Sequence, residues 1–123
     1  MRRLLPSILL MLTAVAFHVQ SQQAKSTQPF APFWSQFKAA VAKNDKEAVA
    51  SMTRFPFYWD KELTRGEFIK KHNEIFDRKI QRCFAKAKPI KDRESYSVFC
   101  GESIYVFEKV EGKYRFTAVG AND

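Results

Sequence analysis

The chain contains few of the residues from which metal centres and redox sites are built. Among its 123 residues there are two cysteines and two histidines, too few for a Cys/His zinc module. The cysteines form no CxxC motif, and the sequence has no phosphate-cradling Gly-rich loop, no HExxH and no EF-hand loop. Four glycines and five prolines exclude a collagen-like or low-complexity polymer. The sequence therefore predicts neither a metal ion nor another cofactor.

Apolar, aromatic and basic side chains are what the chain does contain. Hydrophobic residues make up 46% and aromatic residues 15% of it, with 12 phenylalanines, which excludes a disordered chain. Its 21 basic residues exceed its 13 acidic residues, for a formal net charge of +8. A chain of this length is expected to form one domain.

Residues 1–21 have the pattern of a secretory signal peptide. Arg2 and Arg3 precede an apolar run over residues 4–19, and Val19-Gln20-Ser21 fits the small-x-small rule for cleavage. The run is shorter than the roughly 20 residues that a spanning helix needs; an uncleaved anchor is the alternative. We expect cleavage after Ser21, export to the periplasm or secretion, and a mature chain without a membrane span.

The exported part is predicted to be a flexible arm, residues 22–32, followed by a single domain, residues 33–123. Cys83 and Cys100 are the only cysteines, and an oxidising compartment favours a disulfide between them. Closing such a loop is worth about 3 kcal/mol in the chain-entropy model. The alternative is two free buried thiols acting as small hydrophobes.

Helical periodicity dominates the first part of the domain. Apolar residues recur at a spacing of three to four over residues 33–43, which predicts an amphipathic helix. Asp45 is expected to cap a short second helix over residues 46–52. Residues 53–61, a segment rich in aromatic side chains, are predicted to form a strand or an extended loop, and Pro56 favours an edge position.

A third helix and a β-rich tail follow. Thr64 and Glu67 match a capping box, and Asp77 either caps a further helix or lies within the same one. Three strands are predicted over residues 96–100, 104–110 and 114–119, with turns at Gly101 and at Glu111-Gly112. This order predicts an α+β fold in which N-terminal helices pack on a curved antiparallel sheet.

The chain resembles a small member of the nuclear-transport-factor-2-like (NTF2-like, SnoaL-like) superfamily, which has a cystatin-like cone. The resemblance is carried by FWSQFKAAVAKND, KEAVASM, RFPFYW, LTRGEFIKKHNEIF and SIYVFEKVEGKYRFTAVGAND. It implies helices against a strongly curved sheet that often encloses an apolar pocket. Members serve as enzymes, binding proteins or dimerisation modules, so the fold does not choose the function. This chain is short for the family, since at most four strands are readable.

The aromatic segment FPFYW over residues 55–59 is the strongest candidate for a binding cleft. Strand alternation would bury Phe55, Phe57 and Trp59 and turn Tyr58 outward. Core packing is the alternative. In the functional interpretation the segment lines a ligand cleft in which Arg54 and Tyr58 are the polar groups and Trp34 of the first helix is the cover. The candidate ligand-binding residues are Trp34, Arg54, Phe57, Tyr58, Trp59 and His72.

Catalytic residues are not evident. His72 is the only histidine after the signal segment and lies on an apolar helix stripe, so we expect a partly buried structural histidine. Nothing assigns it a partner for a Ser-His-Asp set. The alternative is a small pocket enzyme, such as an isomerase or hydratase, that uses His72 or Asp60.

Basic residues concentrate between the third helix and the tail. In an exported protein such a field would attract an anionic surface such as lipid headgroups or polysaccharide, or an acidic protein, but not nucleic acid. The alternative is a solvated face without a partner. The field comprises Lys70, Lys71, Arg78, Lys79, Arg82, Lys86, Lys88, Lys91 and Arg93.

The sequence thus favours a non-catalytic exported binding or interaction domain. Its expected partner is a small apolar ligand or a protein, held by the aromatic cleft or by the open face of the sheet. A homodimer through that face is a further expectation. The pocket enzyme and the anion-binding surface protein remain the alternatives.

Overall fold

A computed structural model describes residues 28–122 of the chain. The predicted signal segment, its cleavage site and most of the predicted arm lie outside the described residues. The elements in chain order are α1 (Phe30–Ala42), α2 (Lys46–Ser51), β1 (Thr53–Trp59), β2 (Lys61–Leu63), α3 (Arg65–Ile75), α4 (Arg78–Lys86), β3 (Ile90–Asp92), β4 (Ser95–Cys100), β5 (Ser103–Val110) and β6 (Lys113–Ala121).

Side-chain caps set where α2, α3 and α4 begin, as the sequence predicts. The Asp45 carboxylate accepts a hydrogen bond from the Ala48 amide at 3.1 Å, and Thr64 and Glu67 form the reciprocal capping box. Asp77 caps α4 through the Ile80 amide at 2.9 Å. The question left open by the sequence is therefore resolved in favour of two separate helices, α3 and α4.

The start of α1 extends into the predicted arm. The helix begins at Phe30, whose ring stacks on Tyr96 at a centroid distance of 3.6 Å. Just before it, Gln28 is tied to the turn between β5 and β6. The backbone N–H of Gln28 donates to the Gly112 carbonyl at 3.3 Å. Its side-chain oxygen accepts from the backbone N–H of Tyr114 at 3.3 Å. These contacts fix the end of the arm against the sheet.

The six strands form one sheet in the order β2-β1-β6-β5-β4-β3. The predicted antiparallel meander of three strands is confirmed as β4 to β6, and β3 adds a further antiparallel strand to it. The expectation of a wholly antiparallel sheet is wrong, because β1 runs parallel to β6. Two strands beyond the four readable ones, β2 and β3, consist of three residues each.

The predicted edge position of Pro56 is also wrong. Strand β1 lies between β2 and β6, so it has a neighbour on each side. The pairing of β1 with β6 shifts register between Thr53 and Tyr58. Pro56 falls inside this irregular stretch, where its missing amide hydrogen does not interrupt a regular ladder.

All four helices pack on one face of the sheet and form an α+β layer arrangement with it. The core between the layers consists largely of aromatic rings. Phe37 of α1, for example, lies 5.0 Å from Phe107 and 5.2 Å from Phe116, measured between ring centroids. Pairs at such distances and inclined angles add to the hydrophobic gain from burial.

Two further links hold the helices to the strands. A disulfide joins Cys83 of α4 to Cys100 of β4, as predicted. The Tyr105 hydroxyl of β5 donates to the Ile75 carbonyl at the end of α3. Burial raises the pKa of Tyr105, and the charge of Asp77 raises it further, so the hydroxyl stays protonated as a donor. None of the four helices in the described range has the length and apolar character of a membrane-spanning helix.

Candidate functional site

Three of the six candidate cleft residues belong to the hydrophobic core. Trp34, Phe57 and His72 are buried. The Trp34 ring lies 5.6 Å from the Phe107 ring, and the Phe57 ring lies 4.6 Å from that of Phe116. Phe57 and His72 are 0% exposed, so the core-packing alternative describes the environment of these side chains.

The other three candidates do not join them. Tyr58 points to the opposite face of the sheet and is 54% exposed, while Arg54 is exposed and Trp59 is partly buried. The alternation predicted for residues 55–59 is thus confirmed. It also separates Tyr58 from the core residues, so the six side chains do not converge on one cleft.

His72 is buried without a hydrogen-bond partner. Its ring centroid lies 5.0 Å from that of Phe76 and 6.4 Å from that of Phe68, and neither ring nitrogen has a partner. Burial lowers the pKa of His72, the nearby Asn73 side chain partly opposes this shift, and the charge of Lys46 lowers the pKa further. The imidazole is therefore neutral near pH 7 and has no exposed atom with which to touch a substrate.

Replacing His72 with leucine is expected to raise the free energy of unfolding by about 1–3 kcal/mol, because it removes unsatisfied buried polar atoms. The wild type should also lose stability as the pH falls below 6.5, the ordinary value of the group. At such pH the unfolded chain binds a proton on His72 that the folded chain does not bind. The free energy of unfolding then falls by up to about 1.4 kcal/mol per pH unit. Urea unfolding of both proteins between pH 5 and 8 measures the difference. A variant that is less stable at every pH would contradict this account.

Asp60, the other residue considered for catalysis, lies in a different place. It is an exposed residue after β1 with a φ of 59°. It lines an open depression of about 580 Å³ together with Tyr58, Trp59, Glu102 and Asn122, and His72 is not among the lining residues. The sequence did not predict this depression, because it brings together ends of β1, β5 and β6 that are far apart in the chain. His72 and Asp60 do not share a site.

The face of the sheet that points away from the helices carries a mainly apolar row across five strands, and on β2 this row ends at the exposed Glu62, which lies opposite Tyr58. The register places Tyr58 opposite Ala118, and Ala118 opposite Val106. Val106 in turn faces Ser97, and Ser97 faces Ile90. Since neighbours in a strand alternate between faces, the core residues on either side of these positions point the other way.

A second, shorter row extends this surface. Phe99 pairs with Ile104, and Ile104 pairs with Gly120. Phe99 is 45% exposed and Ile90 is 57% exposed, which is unusual for side chains of this size. We call the following six residues the outer patch: Tyr58, Ile90, Phe99, Ile104, Val106 and Ala118.

Two residues of opposite charge lie beside the outer patch on β5 and β6. Glu108 lies directly opposite Arg115 in the register of β5 and β6. The Thr117 hydroxyl donates to the same carboxylate at 2.7 Å. The outer patch is therefore mainly apolar at its centre, and its border carries both acidic and basic side chains, with Glu62 opposite Tyr58 and Glu108 opposite Arg115. Strands that are apolar on both faces, as in SIYVFEKV, are the sequence signal for such a surface.

The predicted basic field divides into parts with different surroundings. On α3, Lys71 forms an ion pair with Glu74 at 3.6 Å. On α4, four cations share one side of the helix, and no ion pair found in residues 28–122 involves them. We call these four the basic stripe: Arg78, Lys79, Arg82 and Lys86.

Residues 28–122 contain no group of three or more histidine, cysteine, aspartate or glutamate side chains that could hold a metal ion. Comparison of the chain with protein-family models, curated proteins and solved structures finds no match. The geometry of the outer patch and of the basic stripe is therefore the basis on which a function can be proposed.

Proposed function

We propose that this chain is a non-catalytic exported interaction domain of NTF2-like type that acts through the outer patch of its sheet. The observation that carries the proposal is the exposure of Tyr58, Phe99 and Ile90 on a sheet face that no helix of the described range covers. Contiguous exposed apolar surface is typical of protein interaction sites. The filled core favours a partner on this face over a small ligand inside the domain.

The proposed occupant of the outer patch is a second copy of the chain. Residues 22–123 contain 19 basic and 13 acidic residues, a formal charge of +6, which opposes the association of two copies. The border of the outer patch is different, because the acidic residues Glu62 and Glu108 lie there together with Arg115. An apolar centre whose border carries charges of both signs is compatible with an identical surface related by two-fold symmetry.

Sedimentation velocity over a concentration series tests this pairing. The wild type is expected to shift from monomer to dimer, and Tyr58→Ser and Phe99→Ser should each weaken the dimer by about tenfold or more, roughly 1.4 kcal/mol. Tyr58→Phe is the matched control that keeps the ring and should keep the dimer. Both positions are exposed, so the variants should fold. A wild type that stays monomeric throughout, or serine variants that dimerise as it does, would contradict the proposal.

The export of the chain and its family remain parts of the proposal. The disulfide is compatible with an oxidising compartment. The order of helices, hairpin and meander, and the packing of all the helices on one sheet face, support the NTF2-like resemblance.

An anion-binding surface is the second candidate function, and the basic stripe favours it. Arg78, Arg82 and their two neighbours on α4 have no acidic residue within the helix to offset them. The double variant Arg78→Gln/Arg82→Gln should elute from a heparin column at clearly lower salt than the wild type. Lys70→Gln/Lys71→Gln, which removes the same charge from α3, is the control and should have the smaller effect. If the wild type and both variants elute at the same salt concentration, the basic stripe is excluded as an anion-binding site.

A further inference from the structure

A groove of about 400 Å³ runs along the helical side of the domain between α1 and α4. Exposed alanines line it from both helices: Ala39 and Ala42 from α1, and Ala85 from α4. Buried Val41 and Phe84 contribute to its floor. Because alanine ends at Cβ, the backbone or a large side chain of another molecule can approach both helices closely.

The polar residues of the groove are cationic or neutral. Lys38 lines it from α1, with its ammonium group 5.9 Å from the centroid of the Trp34 ring. Gln81 lines the groove from α4, and its side-chain N–H donates a hydrogen bond to the Phe76 carbonyl at 3.1 Å. No carboxylate is among the residues that line the groove.

Two arginines of the basic stripe lie on the side of α4 that carries Ala85, next to the residues that line the groove. Arg78 and Arg82 precede Ala85 by seven and three residues, spacings that place all three on one side of α4. The Arg82 side chain lies along the helix, since its Nε donates to the Arg78 carbonyl at 3.3 Å. Lys38 thus lines the groove from α1, and the two arginines lie beside its α4 side.

We propose that the groove between α1 and α4 binds an acidic helical segment of a protein partner. Apolar side chains of that segment at i and i+4 would lie between the alanines, and carboxylates beside them would pair with Lys38, Arg78 and Arg82. This inference rests on the second candidate function, because it names the partner that the basic stripe would attract.

The apolar floor favours a protein segment over a polyanion. A polysaccharide or a layer of lipid headgroups needs only the cations and would leave the groove unused. A helix of the partner that lies between α1 and α4 would fill the groove, as in helix-in-groove recognition. Charge complementarity supplies steering and orientation, and the alanines supply the close approach.

The experiment uses the purified chain and a synthetic helical peptide as probe. The peptide has leucines along one face at i, i+3, i+4 and i+7 and glutamates beside them. Binding is measured by titration calorimetry. A scrambled peptide of the same composition, and one with lysine in place of glutamate, are the controls, and each should bind at least about tenfold more weakly. Control peptides that bind as well as the probe would overturn the proposal.

Variants of the groove separate this inference from the anion-binding function. Ala39→Gln and Ala85→Gln fill the groove without changing charge, and each should weaken peptide binding about tenfold while leaving heparin retention unchanged. Ala31→Gln, at an exposed alanine of α1 that does not line the groove, is the matched control. Arg78→Gln/Arg82→Gln should reduce both peptide binding and heparin retention.

The outcomes then point to different conclusions. Wild-type peptide affinity in both groove-filling variants, with heparin retention still dependent on the arginines, would overturn the groove and leave the anion-binding function standing. If the arginine variant keeps both peptide binding and heparin retention, the groove proposal and the anion-binding function are both wrong. Thermal melts of every variant check that a loss of binding is not a loss of folding.

Discussion

Truncation of Phe116 to alanine is expected to lower the free energy of unfolding by about 3–5 kcal/mol, the usual range for a buried phenylalanine. Its side chain is fully buried. Its ring packs against rings from α1, β1, α3 and β5 at once, so truncation leaves a cavity that no single element can fill by shifting. The neighbouring rings, with centroids between 4.6 and 6.2 Å away, are Phe37, Phe57, Phe68, Phe76, Tyr105 and Phe107.

Phe99→Ala is the matched control for this experiment. It makes the same chemical change on the same sheet, but on the outer face, where the ring is 45% exposed. In dilute protein, where association is negligible, its effect should be well below that of the core variant, of the order of 1 kcal/mol or less. Urea unfolding followed by circular dichroism measures both. Equal losses would mean that the outer face carries as much packing as the core.

If Phe116→Ala is unfolded in water, Phe116→Leu provides the measurement. Leucine keeps most of the buried volume, and its loss should be near 1–2 kcal/mol, between those of the wild type and the alanine variant. A leucine variant as stable as the wild type would show that the ring contacts around position 116 add nothing beyond apolar volume.

Local signals account for the parts of the fold that the sequence predicted. Asp45 and the Thr64/Glu67 pair act within one helical turn, and their hydrogen bonds form in the structure as expected. The turn at Glu111-Gly112 is equally local, since both residues have positive φ, 52° and 80°, which suits a two-residue hairpin turn. Features of this kind depend on neighbours in the chain and can be read without the tertiary structure.

The missed elements depend on distant partners instead. Strands β2 and β3 have three residues each, too few to show an alternating pattern. They exist because β1 and β4 offer them backbone partners. The parallel pairing of β1 with β6 joins residues about 60 positions apart in the chain, for example Tyr58 and Ala118, and no local signal encodes it.

The candidate site shows the same limit. An apolar pattern around Phe57 and His72 predicts burial equally well for a core and for a ligand cleft. Only the packing of Phe116, Phe68 and Phe76 against them decides between the two. The groove between α1 and α4 was missed for a similar reason, because Ala39 and Ala85 become neighbours only when the two helices pack side by side.

Reduction of the Cys83–Cys100 disulfide is expected to lower the free energy of unfolding by about 3 kcal/mol, from the chain entropy that the bond removes from the unfolded state. The two cysteines are 17 residues apart. For a domain of this size the loss corresponds to a fall in melting temperature of more than about 10 °C. Thermal melts with and without dithiothreitol measure it, and an unchanged melt would contradict a structural role for the bond.

The double variant Cys83→Ser/Cys100→Ser is the control. It should melt near the temperature of the reduced wild type, and dithiothreitol should not change its melt. A further shift of this variant in dithiothreitol would show that the reductant acts elsewhere than on the disulfide.

The position of the bond extends the prediction from stability to binding. Phe84 is the one fully buried side chain of α4, so the disulfide is the second main attachment of that helix to the sheet. Reduction should therefore loosen α4 before the rest of the core. Hydrogen exchange of the α4 amides should rise more than that of α3, and affinity for the acidic peptide should fall because α4 forms one wall of the groove. Self-association through the outer patch, on the other face of the sheet, should persist in the reduced protein.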